Sequence, residues 1–585
     1  MRISLVPQSA SIALVATAIA AAPSGLARSL GWGATSLILL GFVGILGWII
    51  ARYSARNLLG QERTTRFAWL LTGALVSLAV MTTATSLVTF ALGWTLSGLA
   101  LTALIAHPHT VRALHAARYV RRRLLIGDAT LWAAVIAAGV TLPSLSLSTD
   151  ITSTTPVAAW LILGLLVSSV VIRSALVPSH SWLTETSEAP SPVSALLHAG
   201  LVNGGGVLVL ALWSWFAAVP GVLAVLLVLG AITVIVGTVL GRVRGDVKGQ
   251  LVHSTTAQMG YMTVQLGLGL PAAALLHIVG HGFYKSWLFL RAGGAVSRSR
   301  ARNAATLNDS ADPSKTAGAV AALCATSVAA VAGAPAALAS VSALGPTAWV
   351  PVVLSIVTAG SAGMLAYRAH TTIPRACATG VIAGLAAATY LWLLFGTEQI
   401  TADAWGAPIN WAPATATALV AITSSTLLAA ALLARKVIAS PMGALATVAT
   451  LHALPAWHRQ LRQIAEPSSA PAGDEAMVTR RDVDRALDVV AGTYSPNWPL
   501  RTFVAANPLA GLESVDFDQI AGPAAAAFGT DTYLPETEFV RMYNEGTITR
   551  DHLIEAIVQA HEDRGLEPLG PAVLRSAEHL IQTAP

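Results

Sequence analysis

The chain has 585 residues, 54% of them hydrophobic and only 11% charged. Soluble domains carry about 25% charged residues, so the composition excludes a wholly soluble protein and indicates a polytopic membrane protein with a soluble piece attached. The formal charge of +6 implies no nucleic-acid partner, because Arg and Lys concentrate between apolar runs, as they do in cytoplasmic loops.

Apolar runs of spanning length lie near 5–22, 31–51, 66–82, 84–106, 124–142, 157–178, 193–217, 218–240, 250–270, 272–294, 315–341, 347–368, 374–396 and 411–435. They predict an all-α fold, a transmembrane bundle of 13–14 helices with its surface in contact with lipid. The first run, from Leu5 to Ala22 after Arg2, also has the character of a signal peptide; the repeated spans behind it favour a first transmembrane helix. Cys324 and Cys377 both fall in apolar runs and offer neither a disulfide framework nor a zinc site.

Loop charges alternate. Arg52, Arg56, Arg63 and Arg66 follow the second run, and Arg112, Arg118, Arg121, Arg122 and Arg123 follow the fourth. Arg242, Arg244 and Lys248 follow the eighth, and Arg291, Arg298, Arg300, Arg302 and Lys315 the tenth. Arg368 and Arg375 come after the twelfth, Arg435 and Lys436 after the last. The other loops are short or carry acids, such as Asp150, or Glu398 and Asp403, with Arg28 the exception. The alternation places both termini in the cytoplasm.

The expected domains are 1–436 in the membrane, 437–475 as a surface helix and linker, and a soluble segment 476–585. Val478–Val490 and Thr549–Arg564 read as helices, and Ser495–Leu512 as irregular and Pro-rich.

Three segments carry chemistry. In His277-Ile-Val-Gly-His281-Gly-Phe-Tyr-Lys285 the ionisable groups recur every four positions and share one helix face. A charge in the bilayer core is expensive, so such a line marks a route for a proton or cation; satisfied helix–helix contacts are the bland alternative. In the second, Arg173 lies inside a span with Pro178 just after it. Proline breaks the helix and frees carbonyls, and broken backbone at membrane depth lines a cavity or is buried. His198, four residues after Ser194, reads equally well as a relay or as a core histidine. In the third, Asp246-Val-Lys248 opens a helix lined by His253, Ser254, Thr255, Thr256 and Gln258. Such side chains carry a water file or glue helices together.

Ser191-Pro-Val-Ser-Ala-Leu-Leu-His198, Asp246-Val-Lys…His253-Ser-Thr-Thr-Ala-Gln-Met-Gly-Tyr-Met262 and His277-Ile-Val-Gly-His-Gly-Phe-Tyr-Lys285 resemble the signatures of the antiporter-like subunits of respiratory complex I and of the multisubunit sodium/proton antiporters. The resemblance covers roughly 30–345. It implies an ion path along the membrane midplane through Arg173 (where the family has lysine), His198, Lys248, His277, His281 and Lys285. Glu185, Glu188, Asp246 and His253 would support it. The chain departs from the family at Thr95, where a glutamate follows the tryptophan, and around Gly333-Ala-Pro335, where the family's terminal lysine has no counterpart. Arg173 departs too, since a guanidinium does not release its proton in a protein.

The tail run Trp498-Pro-Leu-Arg-Thr-Phe503-Val-Ala-Ala-Asn507-Pro-Leu509-Ala-Gly-Leu512 resembles the opening of DabA, the cytoplasmic subunit of the DAB inorganic-carbon system. That subunit resembles a β-type carbonic anhydrase with a zinc site of Cys, Asp and His, and the tail here has no cysteine. The resemblance therefore implies a DabB-type membrane subunit fused to the first part of DabA. It would be a transport chain without a cofactor of its own, paired with a DabA-like zinc protein in a bacterial inner membrane. Trp498, Phe503, Asn507 and Leu509 would dock that partner; a small self-contained domain is the alternative. The rival functions are a proton-pumping arm of an NADH-quinone oxidoreductase and a plain sodium/proton antiporter subunit.

Overall fold

The structure, a computed structural model, describes residues 5–439 apart from 23–24, 59–62, 245–246, 293–314, 368–372, 406–408 and 410. Its described residues are helical apart from short connections and one isolated Ser86–Ser146 bridge. The helices are α1 (Leu5–Ala21), α2 (Gly25–Ser29), α3 (Ala34–Asn57), α4 (Thr64–Thr82), α5 (Leu87–Ile105), α6 (Val111–Thr141) and α7 (Pro156–Arg173). Then come α8 (Ser181–Glu185), α9 (Ser191–Ala199), α10 (Gly204–Ala211), α11 (Trp213–Ala218), α12 (Pro220–Val243), α13 (Val247–Gly267) and α14 (Pro271–Arg291). The last four are α15 (Lys315–Leu344), α16 (Trp349–Tyr367), α17 (Ile373–Trp405) and α18 (Pro413–Ala439).

Among the described residues, nine helical spans are long and apolar enough to cross a membrane, and three shorter apolar helices accompany them. The protein is a multi-span membrane protein. Helices α13 and α14 fall outside both groups because their hydroxyls, imidazoles and lysines dilute the apolar character. Both are nonetheless packed into the bundle, against α12 and α9.

Three expectations are corrected. The fifth span does not begin at 124: α6 starts at Val111, where the Thr110 hydroxyl accepts from Ala113 N at 3.1 Å. Its arginines are therefore helical, on a helix that outruns the bilayer. The run 193–217 is not one helix but α9, a 3-10 turn at Leu201–Asn203, α10 and α11. Finally, Glu398 and Asp403 are not loop residues, because α17 continues to Trp405.

The break after Arg173 begins before Pro178. Helix α7 ends at Arg173, and Pro178 sits in the irregular link to α8. The groups freed there find partners: Trp182 Nε1 donates to Ile172 O at 2.7 Å, and Val177 N donates to Thr233 Oγ1 at 3.0 Å. Behind the link, the Ser191–Ala211 span is the most enclosed of all, with 94% of its most apolar window buried. It forms the centre of the bundle.

Helix α1 packs on α3 and α4. Arg66 Nη1 lies 3.0 Å from His109 Nε2, so the loops before α4 and before α6 share one end of the bundle, in agreement with the charge alternation. Helices α12 and α13 meet backbone to backbone. A Cβ on Gly230 would stand 2.7 Å from Gly260 O, and one on Gly260 2.8 Å from Gly230 O. Overpacking of this kind costs ~1–3 kcal/mol or more. Gly260→Leu is expected to lower the yield of monodisperse protein in gel filtration, whereas the same change at Gly280, where a Cβ meets nothing within 4 Å, leaves it unchanged.

The surface helix, the linker and the tail helices expected beyond 439 lie outside the described residues, as do Asp246, the side chain of Glu188, and Trp498, Phe503, Asn507 and Leu509.

Candidate functional site

Helix α14 opens with Pro271 in its first turn, where a missing N–H costs nothing. Its four-residue period then turns His277, His281 and Lys285 to one side. The His277 and His281 ring centroids are 5.5 Å apart. Lys285 is 1% exposed, and its Nζ donates to Leu251 O at 3.1 Å and to Ser254 Oγ at 2.8 Å, both on α13. His281 is buried and His277 half-buried, and the Nε2 of each makes no hydrogen bond.

His198, on α9, is fully buried and stacks on Phe289 of α14, with ring centroids 4.3 Å apart and planes 8° from parallel. Both of its ring nitrogens are without a hydrogen bond. A buried imidazole left so is uncommon. His198 lies within electrostatic reach of Lys285 and Lys248, and His281 within reach of His277, Lys285 and His198. Five of the expected residues thus form one interacting group across α9, α13 and α14.

Lys248, half-buried near the start of α13, donates from Nζ to Ala189 O at 3.1 Å, just ahead of α9. Glu185 is fully buried at the end of α8, and His253 is buried on α13. Lys248, Glu185 and His253 each have further interaction partners.

Arg173 stands apart. It is 2% exposed, and its contacts run to α5 and α6. Nη2 donates to Trp94 O at 3.2 Å and to Ser97 Oγ, and the guanidinium carbon lies 4.8 Å from the Trp94 ring centroid. The opposing charge is Asp128 on α6, which is 7% exposed and interacts with Arg173 and with the Trp94 side chain. The two charges make no direct hydrogen bond; Trp94 sits against both. Thr95, where the related families have an acid, instead accepts from Trp132 Nε1 at 3.1 Å. The acid that answers Arg173 therefore comes from the next helix.

Asp128 was not expected from the sequence. The signal was present: an acid inside the run 124–142 is as costly as any other intramembrane charge.

These features define a class: a helical, multi-span membrane protein whose interior holds a connected group of ionisable side chains beside a broken span. Comparison with known proteins narrows it. Residues 84–359 match the family described as NADH:quinone oxidoreductase/Mrp antiporter, TM, and this stretch contains every residue of the group. Residues 487–584 match the family described as Probable inorganic carbon transporter subunit DabA. The DabA-like part of the chain is thus in its C-terminal segment.

Among similar proteins, Probable inorganic carbon transporter subunit DabB2 of Halothiobacillus neapolitanus is 35% identical over 48% of this chain and 52% of its own length. Probable inorganic carbon transporter subunit DabB of Bacillus subtilis is 35% identical over 49% of this chain and 58% of its own. The chloroplastic NAD(P)H-quinone oxidoreductase subunit 5 of Gossypium barbadense is 37% identical over 23% of this chain and 18% of its own. The chain spans about half the length of the DabB proteins it matches.

Proposed function

We propose that this chain is the cation-translocating membrane subunit of an energy-coupled inorganic-carbon uptake system, driving a carbonic-anhydrase-like partner. The observation that carries the reading is the cluster inside the bundle in which the His277 and His281 rings lie 5.5 Å apart, Lys285 bonds to α13, His198 stacks on α14 and Lys248 bonds just ahead of α9. The names of the DabB relatives and the DabA match at 487–584 favour carbon uptake over a quinone-reducing complex or a plain antiporter.

The chain's own residues would act as follows. Lys248 and Lys285, both within electrostatic reach of His198, would take up and release the proton that the imidazoles pass on. The imidazoles of His198, His281 and His277 accept and release a proton in turn, with water between them. Arg173 and Asp128 form a fixed charge couple that sets the field at the broken span, with Glu185, Glu188, Asp246 and His253 in support. The partner is a DabA-like zinc protein that hydrates CO2 to bicarbonate. Trp498, Phe503, Asn507 and Leu509 dock it from the cytoplasmic side of a bacterial inner membrane, where both termini lie.

The coupling is energetically sufficient. One charge moving down ~150 mV releases ~3.5 kcal/mol, which biases a reaction roughly several-hundredfold at ~1.4 kcal/mol per tenfold.

The test is growth. A host lacking carbonic anhydrase, expressing this chain with a DabA-like partner, is expected to grow in ambient air. Removing residues 476–585 is expected to cost the growth and to lower the amount of zinc protein that co-purifies with the chain. Undiminished growth and co-purification in the truncated form would show the tail to be dispensable and the docking role wrong.

A further inference from the structure

The ionisable group does not end at His277. Its ring lies 5.5 Å from that of Tyr261 on α13, and Tyr261 is within electrostatic reach of Tyr390 on α17. Gln265 of α13, fully buried, neighbours the Tyr390 hydroxyl. Glu398 lies two helical turns beyond Tyr390 along α17, an axial rise of ~12 Å. Ser340 of α15, 1% exposed, stands beside Glu398.

Glu398 is 7% exposed, and the Ser340 hydroxyl is the polar neighbour that faces it. A buried carboxyl without a basic partner is expensive, and inside a membrane such groups mark ion pathways. Its place in the bundle is fixed by a second contact. Trp411, which follows α17, donates from Nε1 to Leu268 O at 3.1 Å, in the turn between α13 and α14. Glu398, seven residues before the end of α17, therefore stands towards the end of the bundle at which that turn lies. Lys285, near the other end of α14, points the line away from the basic loop that follows Arg291.

We propose that Glu398 is the terminal proton-accepting carboxyl of the path, reached from His277 through Tyr261 and Tyr390 and opening at the membrane face opposite the basic loops. The inference rests on the cation-translocating reading. It adds the ion, a proton, and the exit. The residue lies outside the stretch 84–359 that matches the antiporter family, in a region where the sequence offers no terminal lysine. The intervals between the groups exceed a hydrogen bond, so water carries the proton between them.

The experiment uses the full chain in proteoliposomes, with proton entry followed by a pH-sensitive dye under an imposed potential. Glu398→Gln is expected to cut the flux at least tenfold and Glu398→Asp to restore much of it. A lipid-soluble carbodiimide, which attaches to carboxyl groups in apolar surroundings, is expected to leave an adduct on Glu398 by mass spectrometry, with flux falling as labelling rises. Wild-type flux in Glu398→Gln would overturn the proposal. If the unmodified chain carries no proton and Lys285→Ala changes nothing, the translocating reading itself fails. Glu398 is then judged by the adduct alone, and its absence removes the site.

Discussion

Lys285→Ala is expected to abolish cation flux while the protein remains folded in the membrane. The ammonium is 1% exposed and held by one carbonyl and one hydroxyl of α13, with no carboxylate among those hydrogen-bond partners. Removing it deletes a buried charge and leaves two neutral acceptors, Ser254 Oγ and Leu251 O, of which the hydroxyl is able to turn to another partner. The folding cost is therefore small, within the ~1–3 kcal/mol of an unsatisfied polar group. The functional cost is large, because Lys285 is the member that both His281 and His198 sense electrostatically. Loss of a positioned proton-transfer group lowers rates by roughly a hundredfold or more. Lys285→Arg separates charge from proton release, since the guanidinium stays charged: it is expected to be as inactive as the alanine variant if the cation is a proton. Flux in proteoliposomes, normalised to the chain incorporated, measures both. Wild-type rates in either variant would remove Lys285 from the path.

Removing one member of the Arg173–Asp128 couple has the opposite profile, a large effect on stability. Asp128→Ala leaves a guanidinium that is 2% exposed with Ser97, a carbonyl and the Trp94 ring, but no acid. Breaking a buried ion pair costs ~3–5 kcal/mol. The lower end applies here, because the two charges act through space and across Trp94 rather than by direct contact. Arg173→Gln is expected to be similarly harmful, leaving Asp128 alone. The double variant Asp128→Asn/Arg173→Gln is expected to recover much of the loss, as it does when two sites share one interaction. Thermal unfolding in detergent, followed by the midpoint of each variant, supplies the cycle. Additive losses would mean that the two side chains do not answer each other.

Much of this site could be read from the chain because its chemistry is local. His277, His281 and Lys285 repeat at the helical period, and that alone puts them on one side of α14. The disruption around Arg173 was legible from Pro178, although the helix stops earlier, at Arg173, because Trp182 and Thr233 supply partners for the freed backbone groups.

What could not be read depends on tertiary packing. The run 374–396 loses its apolar character at Gly396-Thr-Glu398, so hydropathy ends the span there. The helix continues nevertheless, since α15 covers that flank of α17 and buries the carboxyl. Arg118 to Arg123 looked like a loop for the same reason: charge ends a hydropathic run but does not end a helix, and arginine is a good helix former. Asp128 was overlooked for want of a partner close in sequence. It answers a residue on another helix, and no periodicity within α6 connects the two.

The glycine contact between α12 and α13 has a mechanical corollary. Where two main chains touch with no side chains between them, neither rod can slide or roll past its neighbour without collision. The pair therefore moves as one piece. On the translocation reading proposed above, reorientation of the imidazoles, hydroxyls and solvent beside it would not require the two rods to shift against each other.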